Sequence, residues 1–331
     1  MTRARRSLID AQTTPYYHCM ARCVRRAYLW GEDHLTGTNY EHRKAWVVDR
    51  LEELASVFAI EVCAYAVMSN HYHVVLYVDQ QVCENWSDRD VLERWTQLFS
   101  GPLLVQRFLA GSALDKASQN RVSQFAEEYR NRLQDISWFM RCLNEHLARK
   151  ANEEDGCKGR FWEGRFKSQA LLDDAALLSC MAYVDLNPVR AGMASKPENS
   201  DYTSLQLRIR QWQTSRETQQ RCQPLQVKPL GVQGQSKVRA IPFSLVDYME
   251  LVDWSGRAIR DDKRGAILSG SPSILIRLGI DADEWVKVLS PGGHHFTHAV
   301  GKVNALKSYA ETLGQRWVQG VRASQRLFPA R

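Results

Sequence analysis

An α+β fold built on an antiparallel sheet is predicted by three observations. Residues 61–68, EVCAYAVM, and 71–78, HYHVVLYV, are β-rich runs parted only by Ser69 and Asn70, the pattern of a tight hairpin. Apolar residues recur at helical spacing through 40–58 and again through 121–149. A polar stretch at 211–240 then separates these elements from a C-terminal segment with its own apolar content.

Taken in chain order, 16–24 (YYHCMARCV) alternates as a strand, and RRAYLWGEDHLTGTN after it reads as a polar loop. In 40–58 the apolar Val47, Val48, Leu51, Leu54, Ala55 and Phe58 fall at three- and four-residue steps, the stripe of a helix lying on a sheet. The hairpin follows, and then helical periodicity at 88–109 and 121–149, up to the turn EEDG. GRFWEGRFKSQALL, 159–172, reads as a loop leading into a strand. Asp173 and Asp174 stand where acids favour a helix N-terminus, and that helix should end near Asn187-Pro188. The chain thus divides into residues 1–210 with a helical insertion at about 80–135, a polar linker at 211–240, and a smaller helical accessory domain at 241–331.

A chain of 331 residues with 44% hydrophobic side chains can bury real cores. Its apolar stretches are too short to span a membrane, and the start MTRARRSLID lacks the apolar run of a signal peptide, so a cytoplasmic, nucleoid-associated protein without membrane contact is expected. Eight cysteines show no CxxC pair and no regular framework, which reads as reduced thiols; Cys19 and Cys23 lack the second pair that a zinc site needs. The net charge is +7, and residues 1–30 hold six arginines against one acid, a balance that attracts a polyanion more naturally than an acidic metabolite.

The chemistry-bearing residues are few. Alternation along a strand points His71 and His73 to one face and Tyr72, Val74, Leu76 and Val78 to the other, so two imidazoles converge as they would on a divalent cation. In isolation such a pair is more often a merely solvated sheet face. On the following helix Tyr183 and Asn187 lie four residues apart, roughly 40° around the axis, whereas Asp185 points about 200° away from Tyr183. If that helix crosses the histidine face, Asn187 can offer an amide oxygen as a third ligand while Tyr183 presents its hydroxyl. Tyr183 by itself could be an aromatic packing residue with a wet hydroxyl.

In combination, MSNHYHVVL, GRFWEGRFKSQ and AYVDLNPVRAG, in this order, resemble the REP-associated tyrosine transposases. These belong to the His-hydrophobic-His (HUH) single-strand endonucleases with one catalytic tyrosine, related to the transposases of single-strand insertion sequences. The resemblance covers about residues 10–205. It implies a ferredoxin-like antiparallel sheet with helices on one side, whose central strands carry His71 and His73 and whose helix carries Tyr183. It also implies a 5′-phosphotyrosine link with a free 3′-hydroxyl, and imperfect palindromic hairpins as substrate. The chain departs from compact members in its longer 80–135 connection, and DYMELVDWSGRAIR resembles the tail of longer relatives.

A tyrosine hydroxyl is a weak nucleophile at neutral pH, so Mg²⁺ or Mn²⁺ is the expected cofactor. Single-stranded or hairpin DNA is the expected partner, bound by a monomer or homodimer through phosphate neutralisation and base stacking. The interleaved cations and aromatics of 160–167 nominate Arg160, Phe161, Trp162, Arg165, Phe166 and Lys167 for that contact, with Arg22, Arg25, Arg26 and Arg190 beside them; Phe161 and Trp162 could equally be core. Two other functions fit the same residues: a DNA-binding regulator that keeps the fold without cleaving, and a metal-dependent nuclease in which water attacks. In the C-terminal segment, Lys263, Arg264, His294 and His295 could touch the DNA backbone. His294, His295 and His298 invite a second metal site but fit a loop and helix start equally well.

Overall fold

The computed structural model describes residues 9–24, 31, 37–217, 225–231, 240–259, 272–290 and 298–329. Its centre is a five-stranded sheet. β1 (Tyr16–Arg22) leads through α1 (Arg43–Val57) to the hairpin β2 (Ile60–Val67) and β3 (His71–Val78). The connection α2 (Gln80–Asn85), α3 (Asp88–Thr96), α4 (Leu103–Leu109), α5 (Lys116–Leu133) and α6 (Ile136–Glu154) returns the chain to β4 (Lys167–Leu171). α7 (Asp174–Asp185), α8 (Asn187–Arg190) and α9 (Ser204–Glu217) follow. The C-terminal part contributes α10 (Leu245–Ala258), α11 (Ser273–Leu278), α12 (Ala282–Leu289), β5 (Ala299–Val300), α13 (Val303–Thr312) and α14 (Val321–Leu327). The strand order is β2-β3-β1-β4-β5.

The hairpin forms where the two β-rich runs and their short connection placed it, closed by Met68 N–H donating to the His71 carbonyl at 2.8 Å. A register shift between Val62 and Ala64 adds one residue to β2, so Val62, Tyr65 and Val67 share one face while Cys63, Ala64 and Ala66 share the other. The sheet is antiparallel from β2 to β4, but β5 joins β4 in parallel, making the whole sheet mixed. Two residues carry no periodicity a sequence reading could detect; the strand exists because Ala170 and Leu172 donate to the His298 and Val300 carbonyls.

Helices cover both faces, not one. Tyr17, Cys19 and Ala21 of β1 and Tyr72, Val74, Leu76 and Val78 of β3 pack with α1 and α6, through Leu51, Leu54, Phe139 and Leu143. The opposite face, with Val75, Tyr77 and Leu171, is covered by α7. α7 is apolar around nearly its whole circumference and therefore needs a second covering layer, which α10 and α12 provide through Tyr248, Leu251, Val252 and Trp285. The continuous helices read at 88–109 and 121–149 are each divided differently. Gly101-Pro102 ends the first run between α3 and α4, and the second straddles a break where Asp135 caps α6 by accepting from Ser137 N–H at 2.5 Å.

The polar stretch 211–240 is not simply a linker in its described parts. α9 extends to Glu217, and Leu225, Val227 and Lys228 are buried along β2, with Lys228 N–H donating to the Val62 carbonyl at 2.7 Å. Buried apolar residues of 241–331 join the same two clusters as the sheet, so no break in packing marks a boundary near residue 210. None of the described cysteines forms a disulfide. Among the described residues, no helix is long and apolar enough to cross a membrane.

Candidate active site

The pleat sorts the side chains before any chemistry is considered. Cross-strand partners share a face, and the register pairs Arg22 with His71, Met20 with both His73 and Lys167, and His18 with Gln169. One face therefore carries His18, Met20, Arg22, His71, His73, Lys167 and Gln169, and it is the face that α7 covers. Asp173 fixes the start of α7 by accepting from Ala176 N–H at 2.8 Å and from Lys302 N–H at 2.6 Å. Nine residues after its start the helix brings Tyr183 over the histidines: its ring centroid is 5.9 Å from that of His73 and 6.3 Å from that of His18. His71 and His73 lie 4.9 Å apart, centroid to centroid, with their planes at 80°.

Both imidazoles are oriented through Nδ1. His71 Nδ1 lies 2.6 Å from Asn70 Oδ1, and His73 Nδ1 lies 2.8 Å from His18 Nε2. A cation bound by either ring would thus meet Nε2, the usual arrangement when a neighbouring group fixes a ligand's tautomer. Burial, followed by the charge of Arg22, pushes the His71 imidazolium down to about 4, so this ring is neutral, as a ligand must be. Asn187 opens α8, is buried, and its Nδ2 has no hydrogen-bond partner among the described residues. An amide in that state can turn either end toward a ligand. Among the described residues no three His, Cys, Asp or Glu side chains form a cation-holding group. Imidazole and amide are donor types that a hard or borderline divalent ion takes alongside waters and substrate oxygens.

The other nominated residues divide. Arg190 lies over Tyr183 itself, its guanidinium carbon 4.4 Å from the ring centroid, and Nη2 donates to the Ser290 carbonyl at 3.1 Å, so it belongs to the tyrosine's surroundings. Arg22 and Lys167 are exposed at the His71 end of the sheet. The loop 159–166 docks beside them, with Val24 N–H donating to the Phe161 carbonyl at 3.0 Å and Glu163 N–H to that of Arg22 at 2.8 Å, leaving Arg160 and Arg165 exposed. Phe161 and Phe166 are buried and so are core. Trp162 is half-buried, edge-on to Tyr72, with Nε1 donating to the Asn144 carbonyl at 2.9 Å, which gives it a structural task. Arg25, Arg26, Lys263, Arg264, His294 and His295 lie outside the described residues; His298 is described, and its carbonyl accepts from Ala170 N–H beside the β4–β5 pairing.

Asp185 is turned from the site, as its helical angle required. It is fully buried and accepts from Ser204 Oγ at 2.6 Å, Leu205 N–H at 2.9 Å and Tyr248 Oη at 2.5 Å; burial raises its carboxyl against the lowering effect of those bonds. The sequence reading passed over His18 and Gln169. The available signal was parity: in β1 the even-numbered residues share the face opposite the apolar Tyr17, Cys19 and Ala21.

No protein-family model matches the chain, and no curated protein matches it. Among solved structures it is similar, at 13% identity and a TM-score of 0.38, to one described as a REP-associated tyrosine transposase bound to a REP hairpin; 64% of this chain and 87% of that one are covered. A likeness of that size assigns neither family nor activity.

Proposed function

We propose that the chain is a single-strand DNA endonuclease and strand transferase, in which Tyr183 is the nucleophile and His71 and His73, with Asn187, hold Mg²⁺ or Mn²⁺. The observation that carries this reading is the meeting of His71, His73 and Tyr183 on one face of the sheet, with the Tyr183 and His73 rings 5.9 Å apart. When bound, the cation would neutralise charge on a phosphate that otherwise repels an incoming oxygen. Tyr183 Oη attacks phosphorus, an Oη–P bond forms as the P–O3′ bond breaks, the phenolic proton is lost, and the departing 3′-oxygen takes up a proton. The product is a 5′-phosphotyrosine and a free 3′-hydroxyl, so the bond energy is kept for joining a second strand.

The remaining residues bind and orient. Arg190 against the Tyr183 ring limits the rotamers of the nucleophile, and its planar guanidinium suits stacking better than a lysine would. Arg22, Arg160, Arg165 and Lys167 stand exposed at the end of the sheet nearest His71, where they could follow a DNA backbone without reading its sequence.

The test is covalent capture. A labelled hairpin with a single-stranded foot, incubated with the protein and Mn²⁺, should yield a protein–oligonucleotide band resistant to denaturant. Tyr183→Phe should abolish the band while DNA binding persists. Cleavage retained by Tyr183→Phe would instead assign the attack to water, and binding without cleavage by the unaltered protein would leave a DNA-binding regulator.

A further inference from the structure

His18 is absent from the reaction just described, yet it is buried at the centre of the site face, 6% exposed, between Gln169 of β4 and His73 of β3. Its Nδ1 lies 3.4 Å from Gln169 Oε1 and its Nε2 lies 2.8 Å from His73 Nδ1. The His18 and His73 rings are nearly parallel, 17° between planes. For neutral rings these two bonds have one consistent direction. An amide oxygen only accepts, so His18 Nδ1 carries its proton; the lone pair of His18 is then on Nε2, which accepts from His73 Nδ1–H; and the lone pair of His73 is left on Nε2. The Gln169 amide is buried and turns its oxygen toward His18, which sets the order.

The geometry points to His18 as a positioning residue that holds His73 in the Nδ1–H tautomer, with Nε2 as its basic nitrogen, through a relay anchored on Gln169. Its consequence for cation binding rests on the function proposed above. The relay itself does not, because it concerns only which nitrogen of His73 carries the proton. A histidine at this place serving only to fill space would leave that choice unbiased, and a phenylalanine of similar size would replace it without effect.

Two measurements on the full chain test this. In metal-free protein with isotopically labelled histidine rings, long-range nitrogen–proton correlation near neutral pH should show His73, identified by the signals lost in His73→Gln, protonated at Nδ1. Mn²⁺ affinity, read from the paramagnetic resonance of unbound Mn²⁺, should fall about 10- to 100-fold in His18→Phe, the usual effect of losing an outer partner. It should be largely restored in His18→Gln, whose amide oxygen can still accept from Nδ1–H. A wild-type His73 protonated at Nε2 would overturn the proposal, and that outcome is readable even if His18→Phe does not fold. So would unchanged Mn²⁺ affinity in a folded His18→Phe, or a His18→Gln as weak as the phenylalanine variant. A wild type that shows the Nδ1–H tautomer but binds no Mn²⁺ would support the relay and remove the cation from the proposed function, so the two failures are distinct.

Discussion

His71 and His73 are two residues apart on one strand face, but their surroundings differ enough to separate function from stability. His71 is half-buried at the strand's first position beside Arg22; His73 is 3% exposed and bonded to His18. The sequence alone suggests that an imidazole on a sheet face contributes little to the core, and His71, half-buried, stands outside both apolar clusters. His73 differs, because its removal leaves a void and the buried Nε2 of His18 without its hydrogen-bond donor. We therefore expect His71→Ala and His73→Ala both to lose adduct formation, with urea unfolding following different courses. His71→Ala should stay within about 1 kcal/mol of the wild type, while His73→Ala should lose about 1–3 kcal/mol. Equal stabilities would mean that the His18 contact contributes nothing to the fold, and retained adduct formation in both variants would remove the paired-histidine site.

At the scale of elements, the position of α7 decides whether Tyr183 reaches the histidines, and Asp185 is what ties that helix to its neighbours. It accepts from the first turn of α9 through Ser204 and Leu205 and from α10 through Tyr248. Asp185→Ala would leave three buried donors unsatisfied, a loss of about 3–5 kcal/mol, and should lower adduct formation by more than the unfolded fraction explains, since the surviving helix is no longer held in register. Asp185→Asn, which keeps an acceptor oxygen, should be milder in both respects; an alanine variant as stable as wild type would show the network to be dispensable. This is also the scale at which the sequence is most and least legible. The hairpin is readable because two β-rich runs are parted by only Ser69 and Asn70, and the opposed directions of Tyr183 and Asp185 follow from 100° per residue alone. His18 is not, because its partners come from strands 55 and 151 residues away. Nor is 225–231: its lysine looks solvated until Lys228 is seen 2.9 Å from Glu61, with its ammonium 3.9 Å from the Tyr77 ring centroid. β5 has too few residues to carry any pattern.

Across the whole molecule, the net charge of +7 and the exposed Arg165 and Lys167 predict DNA affinity that falls steeply with salt. Arg165→Ala and Lys167→Ala should each flatten the log–log slope by somewhat less than about one unit; unchanged slopes would return both side chains to solvent. The larger question is where the molecule can be cut. All four residues of the proposed site precede residue 190, and from sequence a chain ending near 210 should fold alone and cleave a minimal hairpin. The packing argues otherwise. α7 is covered by Tyr248, Leu251, Val252 and Trp285, β4 gains an edge partner in β5, and Lys228 is bound along β2. Each large apolar side chain is worth about 1.5–3 kcal/mol on burial, so losing that layer removes an amount comparable to the ~5–15 kcal/mol by which a whole domain is stable. The full chain should therefore unfold in one urea transition seen alike by circular dichroism and tryptophan fluorescence. A chain ending at residue 210 should show a broad, non-cooperative loss of helix, bind a hydrophobic dye, and form no adduct. A sharp transition and a Tyr183-dependent adduct in that fragment would show that residues 1–210 close their own core after all, and that the C-terminal elements rest on a site already complete without them.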